Sequence, residues 1–164
     1  RVSVNLVGQL YLQLRGRPCE PFTKDTKVRS GPAGPWNPRS TAGMFSYPDA
    51  VVVCGPVEHH DEHRDVILNP TVIFEVLSPS TEAFDRGQKF ERYQRWNTSL
   101  TDYVLISQDE VLVHHFTRLG DGSWRFTSFD ALDAAVAVES IGCTFRVADL
   151  YDRVVFPEPE ADAP

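Results

Sequence analysis

A glutamate stands in the middle of the most apolar stretch of this chain. Residues 71–77 read TVIFEVL, a run of β-branched and aromatic side chains that predicts a buried strand. Side chains alternate along a strand, so Glu75 shares its face with Ile73 and Leu77. An ionised carboxylate among such neighbours is costly unless it is paired, hydrogen-bonded or bound to a cation. A second run, DAVVVC (Asp49–Cys54), carries Asp49 at its entry, directly after Pro48. If the two strands are neighbours, their carboxylates converge on one side of a sheet. Gly55-Pro56 ends the first run and Ser78-Pro79-Ser80 the second, because a proline cannot donate to a ladder.

The segments around these strands set the fold class. Val7, Leu10, Tyr11 and Leu14 fall at helical spacing and predict a helix over Val2–Leu14. Glycine and proline crowd into residues 30–48, which read as a loop, and Glu58–Asp65 reads as a charged loop. Ser80 or Thr81 is suited to cap a helix running to about Trp96. Further strands are expected at Asp102–Ser107, Val111–Thr117, Ser123–Ser128 and Ala134–Val138, with Asp121-Gly122 as a hairpin signal. A short helix is expected at Val147–Tyr151. This order predicts an α/β (α+β) fold with a central mixed β-sheet flanked by helices. It forms a single domain over residues 1–156, followed by an acidic, proline-containing tail at 157–164.

Lys89 lies on the helix after Glu75, four residues past Asp85, so the two share one helix face, with Thr81 a turn earlier. Two hard oxygen ligands suit Mg²⁺ or Mn²⁺. A lysine aimed back at them suits metal-assisted hydrolysis of a phosphodiester. Taken singly, each residue has a plainer reading. Asp49 can be a strand-entry residue, and Asp85/Lys89 a surface pair worth ~0.3–0.5 kcal/mol; the joint pattern favours a site. His59 and His63 have i, i+4 spacing without an HExxH order and read as part of a solvated loop. His114 and His115 alternate on a strand with no visible partner. Ser78 and Ser80 lack a GxSxG elbow, and capping is the better role. Phe84, Phe90, Tyr93 and Trp96 read as core or interface, and Arg86, Arg92 and Arg95 as a positive helix face.

Charge and cysteine usage narrow the classes. A net charge of −7 and a pI near 5.1 argue against a protein that coats nucleic acid non-specifically, though not against a site that binds cations. The three cysteines contain no CxxC. The expectation is therefore no disulfide framework and no zinc site, each thiol acting as a small buried hydrophobe in a reducing cytoplasm. No signal-peptide pattern opens the sequence, and no apolar run approaches the ~20 residues of a membrane span.

The stretches PDAVVVCGP (Pro48–Pro56), NPTVIFEVLSPSTEAFDRGQKFERYQRW (Asn69–Trp96) and DYVLISQ (Asp102–Gln108) resemble the core of the Uma-two family of endonucleases. That family belongs to the restriction-endonuclease-like, PD-(D/E)xK superfamily. The resemblance runs from about Val4 to Val155, and EVLSPST…D…K…Y is its most specific part. It implies a restriction-endonuclease-like core and a divalent-metal-dependent endonuclease acting on nucleic acid, with DNA as substrate and Mg²⁺ or Mn²⁺ as cofactor. Residue by residue, it implies Asp49 and Glu75 as metal ligands, the backbone carbonyl of Val76 as a third contact, and Lys89 as the catalytic lysine. Asp85 and Gln108 are secondary candidates, Asp85 as the residue that orients Lys89. Members of the family often carry a further acidic residue before the PD motif, and Glu20 is a candidate for it. The resemblance also suggests a homodimer, in keeping with Trp96, Tyr103 and Trp124 exceeding what one small core covers. The superfamily's usual lysine stands two positions after the second acid, and here that position is Leu77. This departure and the acidic charge motivate the alternative, a non-catalytic binding or assembly module that keeps the nuclease fold.

Overall fold

The structure is a computed structural model that describes residues 1–32, 37, 39 and 43–157. In chain order the elements are α1 (Val2–Leu14), β1 (Cys19–Thr23), β2 (Lys27–Ser30), β3 (Met44–Ser46), β4 (Ala50–Cys54), β5 (Val66–Ile67) and β6 (Val72–Leu77). A continuous helical stretch follows, made of α2 (Glu82–Phe84), one wide π turn (Asp85–Lys89) and α3 (Phe90–Trp96). The rest is β7 (Asp102–Ser107), β8 (Val113–Arg118), β9 (Trp124–Phe129), β10 (Ala135–Val138), a 3₁₀ turn (Glu139–Ile141), β11 (Cys143–Arg146) and α4 (Val147–Leu150).

A six-stranded sheet in the order β1-β4-β6-β7-β8-β9 forms the centre. Only β6 and β7 run parallel; their neighbours are antiparallel. A parallel pair needs a crossover, and the α2–π–α3 stretch supplies it. That connection lays the Lys89 helix across the face where the odd-numbered residues of β6 point. Val51, Ile73, Leu77, Tyr103 and Leu105 pack there against Phe90, Tyr93 and Leu100. The opposite face carries Ala50, Val52, Phe74, Val104 and Ile106 under α1 and the β10–β11 hairpin. With both faces covered, β4, β6 and β7 are buried almost throughout, which explains why they read as continuous apolar runs.

The predicted strands and helices appear with ends shifted by a residue or two. Other expectations need correction. The buried stripe of α1 is Val2, Leu6, Leu10 and Leu14, at i+4 spacing, and Tyr11 is exposed. The stretch read as a loop contains β3, paired with β2; its residues 33–36, 38 and 40–42 lie outside the described residues, as does 158–164 of the expected tail. Pro21 hid β1, but an edge strand tolerates proline and β1 pairs with β4 alone. Thr81 stands at the helix start without a side-chain cap bond; Ser78 Oγ instead bonds the hydroxyls of Ser80 and Thr81. The cysteine expectation fails at two positions. Cys19 and Cys54 are register partners across β1 and β4 and form a disulfide, leaving Cys143 buried and free. Tyr103 is fully buried within one copy, so it gives no reason to invoke a second. Trp96 and Trp124 are half-buried beneath the guanidinium groups of Arg95 and Arg118. No helix among the described residues is long and apolar enough to cross a membrane.

Candidate active site

Register places the two carboxylates. Ala50 pairs with Phe74 across β4 and β6, so Asp49 stands at the end of the ladder beside Glu75. Asp49 Oδ2 accepts the Val76 amide at 2.8 Å, and Oδ1 accepts Ser3 Oγ of α1 at 3.0 Å. The missing ladder partner of Val76 is thus replaced by a side chain. Each Asp49 oxygen keeps a lone pair in hand.

Glu75 is 3% exposed, and the helix supplies its cation. Lys89 Nζ lies 2.6 Å from Glu75 Oε1 and 3.0 Å from Asp85 Oδ1. Tyr93 donates to the same Oε1 at 3.3 Å, and its hydroxyl also meets Ser46 Oγ at 2.7 Å. Asp85, Lys89 and Tyr93 follow one another every four residues and all face the sheet. The π turn spans the first two; such turns recur at functional sites. Tyr103 on β7 anchors the turn by donating to the Asp85 carbonyl at 2.9 Å. An exposed Asp85/Lys89 pair is therefore ruled out: both side chains are less than a tenth exposed.

Burial pushes the Glu75 carboxyl up to about 7, against the pull of the Lys89 ammonium. Burial also pulls Lys89 down, but Glu75 and Asp85 outweigh it and hold the ammonium above its usual value. Tyr93 is held well above the usual phenol range by burial and by Glu75, so it stays a donor. The Glu75 shift has a sign. Below about pH 4.5 its carboxyl is protonated in both folded and unfolded chains. As pH rises from there to about 7, the unfolded chain releases a proton the folded one keeps, and stability falls. In metal-free protein, wild type should lose up to about 3 kcal/mol across that window relative to Glu75→Gln. Urea unfolding of both proteins at pH 4.5 and 7.5 checks this; parallel curves would show an unshifted carboxyl.

The remaining candidates divide. Val76 and Gln108 line a cavity of about 320 Å³ with Ser3, beside Asp49. Leu77, at the superfamily's usual lysine position, is buried in the core, and Lys89 reaches Glu75 from the helix instead. Glu20 pairs with Val53 on the edge strand, exposed and away from Asp49. Ser3, Ser46 and Tyr93 were missed as site residues; only Tyr93, four residues past Lys89, carried a sequence signal. His114 meets Arg86, and His115 is bonded to Asp102, so both have partners.

A divalent cation can be tested against the donor set. Among the described residues no group of three or more His, Cys, Asp or Glu side chains stands ready to hold a metal, so these residues form no closed cage of the zinc type. Mg²⁺ needs less, since it is commonly bound through one or two carboxylates and keeps its waters. Asp49 and Glu75 fit that pattern. Both described contacts to the Glu75 carboxylate, from Lys89 and Tyr93, fall on Oε1, leaving Oε2 for a ligand.

A mixed sheet with a carboxylate on each of two adjacent central strands, flanked by helices, is a restriction-endonuclease-like fold. A solved structure from Anabaena variabilis, described as a "putative nuclease", superposes with a TM-score of 0.70 over 94% of this chain and 80% of that one, at 17% identity. The model of the Uma2 family, described as "Putative restriction endonuclease", matches residues 1–148, and the chain belongs to that family. Two uncharacterized proteins of Synechocystis sp. are each 32% identical to it. One alignment covers 94% of this chain and 75% of the relative, the other 83% and 71%.

Proposed function

We propose that this protein is a divalent-metal-dependent endonuclease that hydrolyses phosphodiester bonds of nucleic acid, with DNA as substrate. The observation that carries this reading is a buried Glu75 held by Lys89 from the crossover helix, next to Asp49 at the end of the neighbouring strand. Family membership supports the same class of chemistry. Asp49, Glu75 and the Val76 carbonyl would hold Mg²⁺ or Mn²⁺. When bound, such a cation supplies a Lewis acid for the phosphoryl oxygens and eases deprotonation of water.

The protein's own groups then have distinct tasks. Lys89 carries three protons on Nζ; two point at Glu75 and Asp85, and the third is available to a phosphate oxygen or a water. Asp85 positions Lys89 through their 3.0 Å contact. Tyr93 and Ser46 fix the Glu75 carboxylate from behind. Gln108 lines the neighbouring cavity with Val76, where its amide can meet a substrate phosphate. The cytoplasm is the compartment in which a DNA substrate would be met.

The test is thermal unfolding and DNA cutting with Mg²⁺ or Mn²⁺, on wild type, Asp49→Ala and Glu75→Gln. A cation at ten times its Kd should stabilise the wild type by about 1.4 kcal/mol. Both variants should lose that gain and cut no faster than metal-free protein. Cutting that persists in both would remove Asp49 and Glu75 from the reaction. Failure of the wild type to bind either cation would favour the non-catalytic module, for which the buried Leu77 speaks.

A further inference from the structure

A second polar cleft lies on the other face of the sheet, between β7–β9 and the β10–β11 hairpin, with a volume of about 440 Å³. The register of β8 and β9 pairs Thr117 with Arg125 and His115 with Thr127, which puts these four side chains on the cleft side. Across from them β10 offers Ala135 and Ala137, whose bare Cβ atoms leave room for a ligand. At the floor, Asp102 is 2% and His115 6% exposed, and His115 Nε2 meets Asp102 Oδ1 at 2.6 Å. Asp102 also accepts bonds from Thr101, Thr117 and Ser140. Burial raises its carboxyl, but these donors outweigh burial and hold it below the usual range. Its charge is thus spent inside the protein.

Two features remain unspent. The Asp102 carboxylate fixes Nε2 of His115 as the donor, and no described residue bonds Nδ1. The Arg125 guanidinium makes no ion pair or hydrogen bond with a described residue, although it lines the cleft. Arg118 borders the cleft, but its guanidinium lies on the helix face of the sheet, stacked on Trp124 and tied to the carbonyls of Leu100, Gln94 and Asn97, which leaves Arg125 as the cation of the cleft. Two carboxylates line the cleft with it, Asp102 at the floor, surrounded by its donors, and Glu139 at the rim. Ser140 bonds Asp102 rather than His115, and Thr117 Oγ1 lies 3.2 Å from the same Nε2 that meets Asp102; among the described residues no hydroxyl bonds Nδ1, and the cleft is arranged to bind.

We infer that this cleft is a phosphate-binding site, in which Arg125 faces the phosphate, Thr127 donates a hydroxyl and His115 Nδ1 meets a phosphate oxygen or P–OH. The planar fork of arginine matches phosphate geometry, and the imidazole can donate or accept at Nδ1 according to its protonation. The ligand is either a free phosphate, including a mononucleotide, or a backbone phosphate of nucleic acid. The inference holds whether or not the carboxylate site cuts DNA.

The test titrates inorganic phosphate into the metal-free protein in chloride buffer, followed by the His115 ring resonances and the backbone amides. A saturable shift confined to His115, Arg125, Thr127 and the hairpin is expected. Arg125→Gln, an exposed position on an edge strand that should fold normally, should weaken binding about tenfold, as expected for one charge-assisted bond. Thr127→Val should weaken it less. Displacement of phosphate by a short DNA duplex would identify a backbone contact; displacement by a mononucleotide but not by duplex would identify a free ligand. No saturable shift, or binding that Arg125→Gln leaves unchanged, overturns the proposal.

Discussion

Lys89→Met should destabilise the protein by about 3–5 kcal/mol at pH 8, the cost of removing one partner from a buried ion pair. The cation sits between Glu75 and Asp85, at 2.6 and 3.0 Å, with all three side chains less than a tenth exposed. Methionine keeps much of the volume, so the loss reports charge rather than packing. A domain of this size has about 5–15 kcal/mol in hand, and the variant should remain folded under mild conditions. The effect depends on pH. With its carboxyl already pushed to about 7 by burial, Glu75 can escape the penalty by keeping its proton, so the cost should shrink at pH 6. Pairing the change with Glu75→Gln should recover part of the loss, because one of the two stranded carboxylates is gone. Urea unfolding of the four proteins of this cycle at both pH values measures the coupling directly. A cost under about 1 kcal/mol, with no recovery in the double variant, would mean that the ion pair is solvated and behaves like a surface pair.

That prediction concerns a group whose setting the sequence disclosed only in part. The strands of Asp49 and Glu75 were legible because both faces of β4 and β6 are buried and continuous β-branched runs leave few alternatives. The i+4 spacing of Asp85 and Lys89 disclosed their shared face. Whether that face looked at solvent or at Glu75 depended on the parallel β6–β7 pairing, a tertiary fact with no local signature. The Ser3–Asp49 bond joins residues far apart in sequence and left no pattern to find. The same holds for His115, which looked unpartnered because its strand meets that of Asp102 only in the sheet. The strands β2 and β3 escaped notice for a different reason. They flank a stretch of glycine and proline, whose local preference speaks for loop, and they form a small sheet through pairing with each other and with β5.

The largest departure from sequence reasoning yields the second large expected effect. Reducing the Cys19–Cys54 disulfide should lower stability by about 4 kcal/mol, from the loop-closure entropy of a cross-link spanning 35 residues. Cysteine counting missed it because an odd number without CxxC says nothing about which strands lie side by side. The bond fastens one end of edge strand β1 to the far end of β4, where Gly55 turns the chain at a φ of 83° and donates its amide to the Pro18 carbonyl. Asp49 lies at the opposite end of the same strand, and the covalent tie touches no member of the Glu75 network. Reduction should therefore fray β1 and lower the unfolding midpoint while leaving the cation stabilisation proposed for Asp49 and Glu75 unchanged. Thiol titration of the denatured, unreduced protein should count one free group, Cys143, and three after reduction. Unfolding with and without reductant, on wild type and Cys54→Ser, separates the cross-link from the thiols. Reductant should shift the wild type and leave the variant alone. Three free thiols before reduction would show that the two cysteines face each other unjoined, as the reducing compartments in which disulfides are rare would require. The strand would then be held by its ladder alone, and the thermodynamic difference should vanish.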